Sequence, residues 1–315
     1  MIERPASRDD LSAVVALFCA YDVDFRGGVD TDESDVTDDW DKPGFDWAAS
    51  TLVHEEGGSV VGFATVVEEY ADALTTADRT ELLGPLLQWV EAHPGPLEHY
   101  VPDTDTDRHA LMAARCWVPE RRFWRMRREL DSPTPAPVWP DGVTVRSYDR
   151  PRDDAVVHAL LSTSFREIGG QHERSFEEWK GYLLETDRYD ADLYLIAEAG
   201  GEVVGAALSQ PMGVDYGFVR QLAVGPAQRG RGVGLALLHE CFRRHADRGL
   251  PATVLGVDAG NPTGALDLYE KAGMRVVEQF TRWDRPAAVA RPRVGQAVGV
   301  PDPTLTCGAR GRTRG

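Results

Sequence analysis

The segment EEGGSVVGFA, Glu55 to Ala64, returns as EAGGEVVGAA, Glu198 to Ala207, with Gly62 falling on Gly205, 143 residues apart. In each copy a strand-like run meets a Gly-Gly turn and then a second strand-like run. Upstream, Asp9-Asp10 stands before Ala13-Val14-Val15 much as Asp153-Asp154 stands before Ala155-Val156-Val157, and each pair opens an apolar helix pattern. Self-similarity at this distance makes the chain a tandem duplication of one α/β (α+β) domain, and 315 residues accommodate two such domains. Between them lies DSPTPAPVWPDG, Asp131 to Gly142, a rigid and helix-incompatible linker. The expected organisation is a first domain over 1–130, a linker over 131–142, a second domain over 143–284 and a tail over 285–315. The tail holds six Arg and one Asp among many Pro, Gly and Ala without periodicity, so it is predicted to be disordered.

Composition narrows the class. A net charge of −17 argues against nucleic acid as a partner, because phosphate attraction needs a basic face. The acid is concentrated between Asp22 and Asp41, where nine acids accompany only Arg26 as a base. Only Lys42, Lys180 and Lys271 are lysines, a genome-wide type of bias that carries no functional meaning by itself. The longest apolar run, Ala13 to Ala20, is too short to span a bilayer, and MIERPASRDD lacks the basic and apolar regions of a signal peptide, so a cytoplasmic protein with no membrane partner is expected. Cys19, Cys116, Cys241 and Cys307 stand far apart and read as free thiols, and the eight His show no ligand spacing, so no metal is expected.

The chemistry is carried by PAQRGRGVGLALL, Pro226 to Leu238, where an Arg- and Gly-rich turn runs straight into an amphipathic helix. The first amides of a helix lack intrahelical acceptors and the helix dipole is positive there, so an oxyanion is stabilised at that end. Glycines at 230, 232 and 234 let the backbone approach closely, and Arg229 and Arg231 add guanidinium forks suited to phosphate. The preceding Phe218–Val224 is strand-like, and the following run places Leu237, Leu238, Cys241 and Phe242 on one helical face. Neither a dinucleotide fingerprint nor a P-loop is present.

The turn Arg229-x-x-Gly232-x-Gly234, followed some 30 residues on by AGNPTGALDLYEKAGM, Ala259 to Met274, resembles the two signature segments of the GNAT superfamily, the Gcn5-related N-acetyltransferases. LYEKAGM is similar to that family's L-Y-x-x-x-G-F pattern, with Met274 in place of the Phe. The resemblance implies tandem GNAT folds, each a mixed, mostly antiparallel sheet flanked by helices, in which two parallel strands splay apart and acetyl-CoA enters the split. It implies cofactor contacts at Leu222, Ala223, Val224, Arg229, Gly230, Arg231, Gly232, Val233 and Gly234, and at Asn261 on the pantetheine side. It also implies a phenol, Tyr269, near the thioester sulfur as the acid that protonates the departing thiolate. The reaction so implied is transfer of an acetyl group to a primary amine of a small molecule or peptide, by direct attack in a ternary complex. The two-copy layout is similar to that of the mycothiol synthases, which acylate a cysteinyl amine.

The copies differ chemically. Matching Arg79–Gly84 to Arg229–Gly234 sets Leu82 on Gly232 and Glu81 on Arg231, so the first copy would repel a diphosphate. Matching Phe123 to Phe280 sets Met112 on Tyr269 and Thr104 on Asn261. The first copy is therefore read as degenerate. For the second, helices are expected over Asp153–Ser164, through Phe176, Trp179 and Leu183, over Gly232–Asp247 and over Pro262–Ala272, the last with Asn261 as its N-cap. Strands are expected at Leu193–Ala197, Val203–Ser209, Phe218–Val224 and Thr253–Val257, and near Arg275–Thr281. The general base is open among Asp215, Asp258, Glu167, His172 and an ordered water, since Gln221 occupies a position where the family often has Glu. Phe165, Phe176, Trp179 and Tyr182 are placed either at the acceptor pocket or in the core. The acidic surface favours a cationic acceptor. A non-catalytic acyl-CoA-binding module and an interaction protein using the acidic segment remain as other classes, and the oligomeric state is open.

Overall fold

A computed structural model describes residues 1–42, 44–131, 134–168, 174–212 and 214–285. The tail predicted to be disordered lies, but for Arg285, outside the described residues, and so do His172 and Cys307. In chain order the elements are β1 (Ile2–Arg4), α1 (Leu11–Arg26), α2 (Glu33–Trp40), α3 (Trp47–Ser50), β2 (Thr51–Glu56), β3 (Ser59–Val67), β4 (Tyr70–Thr75), α4 (Leu83–Glu91), β5 (Leu97–Pro102), α5 (Thr106–Ala114) and β6 (Val118–Glu129). The second half follows with β7 (Val143–Ser147), α6 (Arg150–Ile168), α7 (Phe176–Leu183), β8 (Tyr194–Ala199), β9 (Glu202–Met212), β10 (Tyr216–Val224), α8 (Val233–Asp247), β11 (Ala252–Asp258), α9 (Ala265–Lys271) and β12 (Arg275–Arg285).

Two compact units form, but they do not follow the linker. Among the described residues one comprises Met1–Glu120 with Phe280–Arg285, the other Arg121–Gln279. In the first, β1 to β5 pair in sequence order and Phe280–Arg285 of β12 closes the edge against β5, antiparallel. In the second, β7 to β11 pair in sequence order and Phe123–Glu129 of β6 closes the edge against β11, antiparallel. The last strand of each copy thus completes the sheet of the other. Linker composition marks where the sequence changes character, whereas strand pairing, a long-range property, assigns each strand to its unit.

The duplication is visible in side-chain detail. Both hairpins turn on two glycines of positive φ, +60° and +85° at Gly57-Gly58 and +61° and +84° at Gly200-Gly201, the conformation that a two-residue loop needs to match the strand twist. Register shifts fall between His54 and Glu55 and between Ala197 and Glu198. A Cβ on Gly62 would lie 3.1 Å from Leu86 Cδ1, and one on Gly205 would lie 3.2 Å from Leu237 Cδ1, so the same glycine admits the same helix in each copy. Arg4 forks onto Asp10 and also reaches Glu55, as Arg146 forks onto Asp153 and reaches Glu198. The Arg4 guanidinium holds Asp10 below the usual carboxylate range. At Asp153 burial pushes upward, and Arg146 with the Asp149 amide outweighs it.

The acidic Asp22–Asp41 run is used structurally. Buried Asp22 accepts the amides of Asp30 and Thr31 and pairs with Arg26, and Asp32 caps α2.

In the second unit both faces of the sheet are covered, so alternate strand residues enter opposite cores. Leu195, Ala197 and Ala207 meet Leu237, Leu238, Cys241 and Phe242 of α8. Tyr194, Ile196, Ala206 and Leu208 meet Val157 and Leu161 of α6 and Trp179 and Leu183 of α7. The face expected of α8 is the buried one. His245, further along that helix, is fully buried between the Thr253 hydroxyl at 2.8 Å and the Ser209 hydroxyl at 3.0 Å. Burial, helped by Arg248, pushes its imidazole down to about 4.

An unfolded histidine titrates near 6.5. As pH falls from about 6.5 to about 4 the unfolded chain therefore binds a proton that the native chain refuses, and stability drops by up to roughly 3 kcal/mol from this group. His54, His99 and His239 shift in the same direction. Urea unfolding of His245→Gln against the parent across pH 4–7.5 should show the pH slope reduced by that component; an unchanged slope would mean that His245 is not held neutral.

Candidate active site

Strand β10 is paired on both sides only at its start. Gly217, Phe218 and Val219 face Thr253, Val254 and Leu255 of the parallel β11, and there the pairing ends. Toward the antiparallel β9 the ladder continues to Val224, with a register shift between Val219 and Gln221 that makes Arg220 the extra residue. Gly225 donates its amide to Val204 at 2.8 Å. Because antiparallel pairs alternate in the direction of their peptide groups, Gly225, Ala223 and Gln221 address β9, while Leu222 and Val224 turn their amides and carbonyls away from it, toward the split. Of the three strand amides expected to contact the cofactor, Leu222 and Val224 therefore open into the split and Ala223 is engaged in the sheet.

The split is the floor of a cavity of about 500 Å³. It is lined by Val219–Val224, by Leu255–Asp258 of β11, by residues of α8 and α9 with their preceding turns, by Ser164 and Phe165 of α6, and by Phe123 of β6. Gln228, Arg229, Gly230, Gly232, Val233, Gly234 and Leu235 form the wall at the start of α8. Gly232 is the residue before that 15-residue helix, at φ +94°, and no side chain caps the helix. The first helical bond is Ala236 N–H to the Gly232 carbonyl at 3.0 Å, so the amides of Val233, Gly234 and Leu235 have no partner inside the helix. A Cβ on Gly230 or Gly232 would meet nothing within 4 Å, so the turn before the helix is uncrowded, whereas one on Gly234 would lie 3.1 Å from Leu268 Cδ2. This is a cradle for an oxyanion.

The two arginines of the turn part ways. Arg229 lines the cavity, donating to the Val224 carbonyl at 3.1 Å and pairing with Glu167. Arg231 is exposed, bonds the Gln228 side chain at 2.6 Å, and is not among the lining residues, so its expected cofactor contact has no counterpart in the cavity wall.

Asn261 lines the cavity, but its role as N-cap is corrected. The helix starts at Ala265 after a left-handed Gly264, and Asn261 Oδ1 instead accepts the amide and hydroxyl of Thr263 at 2.9 and 2.6 Å. Pro262 follows a turn in which Asn261 N–H bonds the Asp258 carbonyl, and that turn satisfies the local backbone without a helix. What Asn261 has left to offer a ligand is its NH₂ group.

Tyr269 lines the cavity from α9 and is 8 % exposed. Among the described residues its hydroxyl makes no hydrogen bond, and burial pushes it up to about 12. It is therefore a neutral donor at neutral pH, with its proton available to a ligand.

Of the base candidates, Asp258 lines the cavity, tied to Arg121 at 2.7 Å and to the Gly260 amide. Glu167 is taken by Arg229, and Asp215 is an exposed turn residue away from the wall. Of the aromatic stripe, Phe165 reaches the cavity and Trp179 is core, its indole N–H held by the Gln221 side chain at 3.0 Å. Phe176 stacks on Trp179, and Tyr182 stays exposed. Sequence reasoning missed Ser164, Arg220, Gly256 and Lys271, which line the cavity. Tertiary folding alone brings them there. Among the described residues no group of three or more His, Cys, Asp or Glu is gathered to hold a metal, and no helix is long and apolar enough to cross a membrane.

The equivalent split of the first copy is filled. Through the Gly62 and Gly205 match, Ala73 of β4 occupies the place of Leu222, and buried Arg108 of α5 donates to the Ala73 carbonyl at 2.9 Å while pairing with Asp105 at 3.2 Å. Leu82 takes the Gly232 place with helical dihedrals and a buried side chain, after a 3₁₀ turn whose Thr80 carbonyl already accepts the Leu83 amide. Met112, in the place of Tyr269, is fully buried.

A mixed sheet splayed at one parallel pair, with an uncapped glycine-led helix at the mouth, defines an α/β domain built to hold an oxyanion-bearing ligand by its backbone. The acetyltransferase (GNAT) family model matches residues 155–274. A mycothiol acetyltransferase of Nocardia farcinica is 30 % identical over 247 residues, 72 % of this chain and 79 % of the relative. That of Thermobispora bispora is 36 % identical over 169 residues, 52 % of this chain and 55 % of the relative, so this alignment spans about half of each protein. A crystal structure of a Gcn5-related N-acetyltransferase from Sphaerobacter thermophilus, 28 % identical, superposes with a TM-score of 0.75 over 90 % of this chain and 95 % of that one. The chain belongs to the GNAT family.

The left-handed backbone at Gly232 sets a stability contrast between the copies. Gly232→Ala should cost about 1–2 kcal/mol, because a Cβ is strained at positive φ. Gly84→Ala, at the matching Gly234 position of the first copy's helix and in open space, should be neutral or gain up to about 1 kcal/mol. Denaturant unfolding of both variants checks the pair; equal costs would mean that Gly232 is not held left-handed.

Proposed function

We propose that the second unit catalyses transfer of an acetyl group from acetyl-CoA to a primary amine of a small molecule or peptide, in one cavity and by direct attack. The observation that carries this reading is the convergence of three unspent donor sets on that cavity: the first amides of α8, the outward amides of Leu222 and Val224, and the Tyr269 hydroxyl. The helix amides and Arg229 hold the diphosphate, and the Val224 peptide and the Asn261 NH₂ group hold the pantetheine amides. The Leu222 amide faces the thioester carbonyl, where it stabilises the oxyanion formed on attack; one preorganised donor of this kind is worth about 3–4 kcal/mol of barrier. The relatives named mycothiol acetyltransferases support a small-molecule acceptor.

The amine nitrogen bonds the acetyl carbon, the carbon–sulfur bond breaks, the amine loses a proton to solvent or to Asp258 through water, and Tyr269 gives its proton to the departing sulfur. A thiolate whose conjugate acid titrates near 8.5 takes a proton from a phenol at about 12 only uphill, by roughly 5 kcal/mol. Removing water from the departing sulfur disfavours the thiolate and raises its basicity, which lowers that cost.

Tyr269→Phe keeps the ring and removes the proton, so single-turnover acetyl transfer should slow by roughly 10²–10⁴-fold with acetyl-CoA affinity little changed. A rate within about twofold of the parent would make the phenol structural. Calorimetry of the full chain should give one acetyl-CoA, bound in the second unit, and Gly232→Leu should abolish that binding while the protein stays folded. A stoichiometry of two, or near-parental binding by Gly232→Leu, would overturn the assignment of the turn.

A further inference from the structure

The catalytic reading leaves Arg220 without a role. It is the extra residue of the β10 bulge, half-buried, and it lines the cavity beside the point where β10 and β11 part. In a chain with 51 acids and a net charge of −17, most buried or half-buried arginines have a carboxylate or a carbonyl against them. Arg220 has neither among the described residues. Its guanidinium carbon instead lies 4.3 Å from the centroid of the Tyr182 ring and 6.0 Å from that of Phe218.

A second guanidinium, that of exposed Arg174, lies 4.1 Å from the same exposed Tyr182 ring, outside the cavity wall and without a side-chain hydrogen bond or ion pair among the described residues. Two like charges gathered on one aromatic ring repel each other, and the ring quadrupole offsets only part of that repulsion. An anion between or beside them removes it, and a guanidinium fork fits a carboxylate or phosphate with two parallel hydrogen bonds. Ser164, 9 % exposed, lines the same cavity nearer the Gly225–Arg229 end, with a hydroxyl that has no hydrogen-bond partner among the described residues.

We propose that the acceptor amine is anionic: it carries a carboxylate or phosphate that Arg220 receives at the bulge, with Tyr182 as the platform and Arg174 as the second cation. This rests on the acetyl-transfer reading of the same cavity. It reverses the expectation drawn from overall charge, because the sign of the field at an acceptor is set by the nearest unneutralised groups rather than by the net charge. Arg220 stands at the bulge, four residues of β10 before Val224, whereas Ser164 lies on α6 between Leu160, which faces Gly225, and Glu167, which pairs with Arg229, so Arg220 is the group that receives the acceptor's anion apart from the α8 amides.

The test is calorimetry on the full chain saturated with CoA, which cannot turn over, using matched probes: glycylglycine against glycylglycinamide, and glucosamine 6-phosphate against glucosamine. The parent should bind the anionic member of at least one pair tenfold or more tighter, and the pair with the larger ratio identifies the anion. Arg220→Met, which keeps apolar contact with Tyr182, should bring both ratios within twofold of unity while CoA affinity changes less than twofold. Arg220→Ala serves as a second variant, each checked by thermal melting. Equal binding of both members, a preference that survives loss of Arg220, or no binding of any probe overturns the proposal. Failure of CoA itself to bind instead sinks the underlying reading.

Discussion

Everything functional in the second unit depends on two parallel strands ceasing to pair. Beyond Val219 and Leu255 the peptide groups of β10 keep β9 on one side and lose β11 on the other. An unpaired buried peptide group costs free energy comparable to a lost hydrogen bond, so the split persists only where a ligand or a side chain satisfies it. The fold tolerates that deficit because both faces of the sheet are packed and the cost falls on a few residues. The glycine-led start of α8 adds a second set of unsatisfied donors to the same cavity.

The first unit shows the alternative solution to the same constraint. There the guanidinium of Arg108 enters the split and meets the Ala73 carbonyl, Asp105 and Asp72, with the Tyr21 ring 4.5 Å away. A buried charge set of this kind is held by mutual compensation, since removing one partner strands the others. The two copies thus satisfy one backbone deficit in two ways, one with a side chain of its own and one by leaving room. The exchange of last strands has a related consequence: Phe123, from β6 of the first copy, lines the cavity of the second unit.

Much of this was legible in sequence, for identifiable reasons. The duplication, the two hairpins and the α8 face rest on local rules, Gly-Gly turns and a 3.6-residue period, and the structure has them at the expected residues within a few positions. The end of β10 and the glycine turn were equally readable. Asn261 as an N-cap was not, because Asn-Pro before a helix pattern fits either a cap or an Asx turn, and only the bond to Thr263 distinguishes them. Arg231 read as a phosphate ligand by its place in the motif, but its side chain turns to Gln228. Arg220 and Ser164 had no sequence mark at all.

By itself the sequence determined the duplication, the two hairpins and the buried face of α8, because turn chemistry and periodicity act locally, and it carried the GNAT resemblance and the differences Leu82 for Gly232 and Met112 for Tyr269 on which the readings of the cradle and of the first copy rest. Only the tertiary structure decided which strand closes which sheet, which strand amides face the split, and that Arg220 reaches the cavity without an ion pair among the described residues. Those depend on pairing register, on the alternation imposed by a neighbouring strand and on residues far apart in the chain meeting in space, and none of these is written in any one segment.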